Sequence, residues 1–232
     1  MALIKTSGIV AAISGKVGGS VYSRNRYGAY VRNWAKPVNP NSSAQQKVRA
    51  DMGALVSDWF NELTVAQRAS WAVYAAAVNF VNRLGETITL TGFNHYIRSN
   101  IARLSNSMTR ISAGPTELIL PPTDSEFNVA LSEVSQEVSV TFDDSAVWCS
   151  QDSAYMSIHQ GIPQNSARMF FGGHMRRIGK ISGSSGSPIT SPQTVALSFP
   201  VAVSQKDWIQ GRIQLADGRL SATFRDDAIV GA

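Results

Sequence analysis

From residue 42 onward, the main change in the hydrophobic period of this chain falls in the segment from residue 109 to residue 122. Before that segment, apolar residues recur every three or four positions, as they do in amphipathic helices. After it, they alternate with polar residues, as they do in strands with one buried face. Residues that interrupt regular structure are frequent within it: Gly114, Pro115, Pro121 and Pro122. The sequence therefore predicts an α+β chain with a helical domain (42–110), a linker (111–122) and a C-terminal domain (123–232).

The helical domain is predicted to contain three helices. Ser42 or Ser43 caps the first, and a capping box formed by Thr64 and Gln67 begins the second. The second helix is rich in alanine, and small side chains let two helices approach closely. The first two helices are therefore predicted to form a tight αα-hairpin. The predicted helices cover residues 43–63, 65–80 and 93–108, with a short strand at 87–91 before the third.

The apolar stripe of the first helix predicts which of its residues lie in the core. Its members are spaced by three and four positions: Val48, Met52, Leu55, Val56, Trp59, Phe60 and Leu63. On the second helix, Trp71 occupies a similar position. We therefore expect both Trp59 and Trp71 to be packed inside the protein.

The C-terminal domain has the pattern of an antiparallel β-sandwich of about a hundred residues, because short alternating runs are separated by turn residues. Asp217-Gly218 is a signal for a tight hairpin turn. The predicted strands cover residues 138–142, 154–160, 194–199, 208–215 and 219–224.

The N-terminal residues 1–41 are predicted to form an extended β-arm. Residues 20–24 and 29–34 alternate like two strands, and residues 25–28 can form the turn between them. On the second strand, Tyr30, Arg32 and Trp34 share one face. A hairpin of this size is marginal alone and needs another surface to pack on. The arm therefore carries the candidate partner-binding residues: Tyr22, Arg24, Arg26, Tyr27, Tyr30, Arg32 and Trp34.

Charge is distributed unevenly along the chain. Eight basic residues and no acidic residue precede Asp51, whereas twelve acidic residues outnumber eight basic ones from Thr116 onward. The charged fraction of the whole chain is 16%, below the average of about 25%. A basic arm on a nearly neutral body suits a nucleic acid, a membrane surface or an acidic patch on another protein.

No catalytic, metal or cofactor motif is present. The three histidines His95, His159 and His174 have no second ligand at a metal-like spacing. His95 is expected to have a satisfied packing role, and Cys149 to be a buried, inert thiol. The glycines near Gly15-Lys16 do not complete a phosphate-binding loop, and no apolar run has the length of a membrane span. The paired aspartates are expected in turns: Asp143 with Asp144, and Asp226 with Asp227.

The order of motifs in the first hundred residues resembles a group of uncharacterised phage and prophage proteins. The residues that carry the resemblance are a basic stretch with two tyrosines (21–28), the Lys-Pro-Val-Asn-Pro-Asn turn (36–41), Ala44-Gln45-Gln46, the Leu-Thr-Val-Ala-Gln-Arg segment (63–68) and Trp71. The similar sequences pair a glycine-rich basic N-terminus and an Asn-Pro-Asn turn with a helical segment that contains tryptophan. The resemblance implies a structural role in a virion or prophage context. It implies no site and no activity.

Three classes of function are consistent with these patterns. The first is a non-enzymatic virion protein, assembled in the cytoplasm of a bacterial host, whose arm docks on capsid or connector subunits and which is a homo-oligomer in the particle. Within this class, capsid cement, decoration or minor capsid protein is preferred, and a head–tail connector, collar or tail component is the alternative. The second class is a nucleic-acid-binding module that uses the basic arm. The third is a glycan-binding or hydrolytic β-sandwich with Trp148 and Trp208 exposed.

A DNA-binding measurement separates the first two classes. For a structural protein with a basic arm, we expect weak, non-specific binding that disappears near physiological salt, because counterion release makes phosphate contacts steeply salt-dependent. The measurement is fluorescence anisotropy with unrelated DNA duplexes over a salt series. Tight, salt-resistant and sequence-selective binding would favour the nucleic-acid-binding class instead.

Overall fold

The computed structural model describes residues 2–4, 13–36, 38–82 and 84–231 and confirms an α+β fold with a helical region and a C-terminal β region. Three α-helices are present among these residues. They are α1 (Ser43–Asn61), α2 (Val65–Ala77) and α3 (Gly92–Ser105).

The N-terminal residues form a small antiparallel sheet rather than a single hairpin. The predicted hairpin is confirmed, and two further strands, β1 and β2, extend it on both sides in the order β1-β4-β3-β2. Residues 5–12 of the predicted arm lie outside the described part of the chain. The strands are β1 (Ala2–Ile4), β2 (Gly15–Val17), β3 (Ser20–Asn25) and β4 (Gly28–Asn33).

The predicted helix starts are confirmed by the side chains that cap them. The Ser42 hydroxyl accepts a hydrogen bond from the Gln45 N–H at the start of α1. At α2, Thr64 and Gln67 each accept a hydrogen bond from the other's backbone N–H, which completes the capping box. Local sequence therefore determines where these helices begin.

The packing of the helices differs from the predicted αα-hairpin, which was wrong in this respect. Both α1 and α2 pack against α3, and α3 is the helix that joins them. On α1, Leu55 is buried, whereas the predicted core residues Val48, Met52 and Phe60 are exposed. The buried apolar residues of this cluster are Leu55, Leu63, Trp71, Tyr74, Val78 and Tyr96.

A short hairpin connects α2 to α3. Helix α2 ends at Ala77, earlier than predicted, because Val78 turns to extended backbone and continues into β5 (Asn79–Val81). Strand β5 pairs with β6 (Thr87–Thr89). In the turn between them, the Asn82 side-chain oxygen accepts hydrogen bonds from two backbone N–H groups.

The C-terminal region consists of two antiparallel sheets that share one apolar core, as in a β-sandwich. One sheet has the order β12-β8-β7; the other has the order β10-β13-β9-β11, with β14 also paired to β13. The core lies between Val138 and Val140 of the first sheet and Ile158 and Ile209 of the second. The strands are β7 (Asn128–Ser132), β8 (Glu137–Thr141), β9 (Tyr155–Gln160), β10 (Gln164–Asn165), β11 (Arg176–Ser182), β12 (Gln193–Ala196), β13 (Gln205–Gln214) and β14 (Phe224–Ile229).

Several strand predictions need correction. The strand predicted at 219–224 begins only at Phe224, and Asp226 and Asp227 lie within it rather than in a turn. Strand β12 stops at Ala196. The backbone N–H groups of residues 198 and 199 donate to the Gln160 side-chain oxygen instead of to a neighbouring strand. The strands β7, β10 and β11 were not predicted. The tight turn at Asp217-Gly218 was predicted and is present.

The predicted linker is held between the helices and the sandwich. The Trp71 indole N–H donates to the Ser112 carbonyl at 2.9 Å, and the Gly114 N–H donates to the Ser70 hydroxyl at 2.8 Å. A Cβ atom at Gly114 would lie 2.7 Å from the Trp71 backbone nitrogen, so only glycine allows this close approach. The Arg219 guanidinium donates to the Ile119 carbonyl at 3.0 Å and fixes the other end of the segment.

Replacement of Trp71 by alanine is expected to lower the free energy of unfolding by about 3–5 kcal/mol, because it removes a fully buried aromatic side chain. Trp59→Ala should cost less, since Trp59 is only partly buried against Phe93 and Tyr96. Urea unfolding followed by circular dichroism measures both values. Trp34→Ala is the matched control, because Trp34 is exposed and its loss should change stability by about 0.5 kcal/mol or less. Equal costs at all three positions would contradict this account of the core.

Candidate partner-binding surface

Strands β2 to β4 of the N-terminal sheet bury none of their residues. None of the described residues 13–36 is buried, although strands β3 and β4 pair along their whole length. Sheets in proteins normally bury at least one face against another layer. This sheet therefore presents both faces for contact with something outside the described chain.

Strand register divides the predicted binding residues between the two faces of the sheet. Tyr22 lies opposite Val31, and Val21 lies opposite Arg32. Because paired residues share a face and neighbours along a strand alternate, Tyr22 and Arg24 lie on one face. Tyr30 and Arg32 lie on the other. The predicted residues therefore do not form a single surface.

Trp34 forms a compact unit with a residue that was not predicted. The backbone N–H of Trp34 donates to the Gly19 carbonyl at 2.7 Å, at the open end of the hairpin. Trp34 is 55% exposed. The Lys16 ammonium lies 3.8 Å from the centre of the Trp34 ring, which is a cation–π contact. An exposed ring and an exposed cation are thus held together at one end of the arm.

The turn at the other end of the hairpin contacts the body of the protein. The Tyr27 N–H donates to the Asn25 side-chain oxygen at 2.9 Å, which stabilises the turn. The Tyr27 hydroxyl accepts a hydrogen bond from the Asn94 amide of α3 at 3.1 Å. Arg26 and Tyr27 also line a shallow pocket of about 430 Å³ together with β6. Tyr27 therefore anchors the arm to this chain's own body.

The basic residues of the arm are left available for a partner. Arg24, Arg26 and Arg32 are exposed. The body contains ion pairs that join Arg110 with Asp58, Lys206 with Asp227, and Arg219 with both Glu117 and Asp217. The positive charge of the arm is therefore suited to an acidic surface on a neighbour.

The Cys149 thiol and both tryptophan side chains of the sandwich lie inside it. Cys149 is buried, as predicted, and desolvation together with Asp144, Asp124 and Asp143 raises its pKa to about 12. Trp148 and Trp208 are also buried, which contradicts their proposed exposure for glycan binding. Among the described residues, no three His, Cys, Asp or Glu side chains are grouped so that they could hold a metal ion.

His95 is packed as predicted but is not satisfied. It is fully buried on α3 between the rings of Tyr74 and Phe80, at centroid distances of 5.0 and 5.7 Å. Within the described part of the chain, neither of its ring nitrogens has a hydrogen-bond partner. Desolvation, followed by the charge of Arg98, lowers the pKa of His95 from 6.5 to about 4. His95 is therefore neutral in the folded protein at physiological pH.

No protein-family model, curated protein or solved structure matches this chain. The resemblance to phage and prophage proteins consequently stays a hypothesis. Across the described residues, no helix is both long enough and apolar enough to cross a membrane.

Acid is expected to destabilise the protein through His95. Because the pKa in the folded state is depressed, the unfolded chain takes up the proton first, so this contribution to stability is complete above pH 6.5 and decreases as the pH falls toward 4. The depressed pKa of His95 corresponds to a decrease of about 3 kcal/mol in the free energy of unfolding between neutral pH and pH 4. Urea unfolding of the natural protein and of His95→Phe at a series of pH values isolates this contribution as the change in their difference. A difference that stays constant between pH 7.5 and pH 4 would contradict it.

Proposed function

We propose that this chain is a non-enzymatic structural protein of a bacteriophage virion, most simply a capsid cement, decoration or minor capsid protein, whose N-terminal arm docks on neighbouring subunits. The observation that carries the proposal is the sheet formed by β1 to β4. Its strands are paired, yet none of the described residues 13–36 is buried. The sheet carries exposed Arg24 and Arg32 on opposite faces, and Trp34 is exposed as well.

The energetics of the arm favour docking. Ordering a chain costs about 1–2 kcal/mol of backbone entropy per residue, which burial of apolar surface normally offsets. Within this chain, the arm gains little burial, and the described contact of its tip with the body is the hydrogen bond between Tyr27 and Asn94. A partner surface that covers Tyr30 and Trp34 would supply the missing burial.

The position in the particle has an alternative. A head–tail connector, a collar or a tail component would also use an arm that reaches onto a neighbour, and the resemblance to phage proteins applies equally to each. Connector or tail placement predicts few copies per particle, whereas a capsid-associated protein is present in many copies. Quantitative mass spectrometry of purified particles separates these two placements.

The nucleic-acid-binding alternative rests on Arg24, Arg26 and Arg32 contacting phosphates. The register weakens this alternative because Arg24 and Arg32 point to opposite faces of the sheet, so one strand of nucleic acid cannot contact both from one side. The Lys16 ammonium also lies over the Trp34 ring, where it occupies a face on which a base would stack.

Arm variants test the proposal directly. Arg32→Glu and Trp34→Ala should each reduce incorporation into particles, without a change in the melting temperature of the isolated protein, because both side chains are exposed. A chain that starts at Asn41 should fold but fail to join the particle. Incorporation is measured as the ratio of this protein to the major capsid protein in particles purified on a density gradient.

Lys47→Glu is the matched control for Arg32→Glu. It makes the same change of charge at an exposed position on α1, outside the sheet, and should leave incorporation unchanged. Normal incorporation of the chain that starts at Asn41 would show that the arm is not the attachment element.

A further inference from the structure

A cleft in the body of the protein is lined by residues that all lie outside the arm. It has a volume of about 700 Å³, which is within the range of about 300–1,000 Å³ typical of binding pockets. The segment after Ile119 forms one wall and the loop from Asp143 to Trp148 forms the other. Ile213 and Leu215 of the sandwich contribute to the apolar lining.

The rim of the cleft is acidic. Glu117, Asp124 and Asp143 all line it, and its one basic residue is Arg219. Arg219 forms ion pairs with Glu117 at 2.5 Å and with Asp217 at 2.6 Å, so the acidic character of the rim rests on Asp124 and Asp143. The Asp124 and Asp143 carboxylates accept hydrogen bonds from backbone N–H groups and, at Asp143, from the Ser145 hydroxyl.

The apolar lining of the cleft includes a buried tryptophan, Trp148. Trp148 lines the cleft, is 2% exposed and packs against Phe142 at a centroid distance of 5.2 Å. Its indole N–H has no hydrogen-bond acceptor within the described part of the chain. A buried donor without an acceptor carries a desolvation cost. Val147, beside it, is 69% exposed although it is apolar.

We propose that this cleft receives the Lys16–Trp34 end of the arm from a second copy of this chain. The inference rests on the proposed function, in which the arm docks on a neighbouring subunit, and it names that subunit. The fit is chemical: an exposed aromatic ring with a cation above it matches a cleft with an apolar interior and a carboxylate rim. Residues 13–36 contain no acidic side chain that would oppose such a rim.

The arm and the cleft that receives it belong to two different copies of the chain. Within one chain, the arm meets the body through Tyr27 at the closed end of the hairpin, which is the end opposite Trp34. An arm of one copy in the cleft of the next is a heterologous contact, since two different surfaces meet. Repeated contacts of this kind build rings or open chains of subunits. Because the two surfaces differ, a variant of one surface can be rescued by mixing it with a variant of the other.

Two single variants block the two sides of the contact. Trp34→Ala impairs the arm and leaves the cleft intact, whereas Val147→Arg fills the cleft with a cationic side chain and leaves the arm intact. Both positions are exposed, so folding is preserved. Each variant alone should self-associate at least about tenfold more weakly than the natural protein, as expected when a hot-spot contact is lost.

The mixture of the two variants is the decisive measurement. The arm of the Val147→Arg chain can enter the cleft of the Trp34→Ala chain, so an equal mixture should regain association but stop at one-to-one pairs. Sedimentation velocity of the full-length proteins distinguishes these pairs from the longer assemblies of the natural protein. Val134→Arg, at a residue 84% exposed in the turn at the far end of β7 and β8, is the matched control and should associate normally.

Each other outcome overturns the inference. A natural protein that stays monomeric, a Val147→Arg protein that associates normally, or a mixture that is not rescued would each exclude the arm-in-cleft contact.

A separate result tests the proposed function. If Trp34→Ala reduces incorporation into particles but Val147→Arg does not, the arm docks on a different virion protein; if neither does, the proposed function fails as well.

Discussion

The polar side of α3 is the constraint on which the rest of this structure depends. Arg103 is buried, and its guanidinium donates to the Thr109 carbonyl at 2.6 Å and to the Ser153 carbonyl of the sandwich at 3.3 Å. From the sandwich, Gln214 donates to the Ser99 carbonyl at 3.0 Å. A buried polar group left without its partner costs about 1–3 kcal/mol. The helical region and the sandwich are therefore held in one arrangement, since displacing α3 would strand several such groups at once.

The parts of the fold that were predictable are those set by neighbouring residues. Ser42 and the Thr64–Gln67 pair mark helix starts through contacts three residues apart, and the Asp217-Gly218 turn is equally local. The helix partners were not predictable, because they depend on contacts between residues far apart in sequence. Strand β11 was missed for a related reason: its basic sequence lacks alternation, and its register shifts between Arg177 and Gly179.

The candidate site was predictable only in composition. Aromatic and basic residues in the arm indicated a contact surface, but their division between two faces follows from the pairing of β3 with β4. Lys16 could not be identified, because its place over Trp34 requires strand β2, which has only three residues. The cleft was invisible in the sequence, since its lining joins three stretches, 117–125, 143–151 and 213–219, that are brought together only by folding.

The contact between Tyr27 and Asn94 has a mechanical consequence. A force applied to the open end of the arm acts at a distance of one hairpin length from the contact between Tyr27 and Asn94. That contact is one hydrogen bond, which contributes about 1 kcal/mol. That contact breaks long before the body unfolds. The arm then stays attached at Asn41, which accepts hydrogen bonds from Gln46 and Arg49 of α1, so a pull on the arm is absorbed before α1 while the body remains folded.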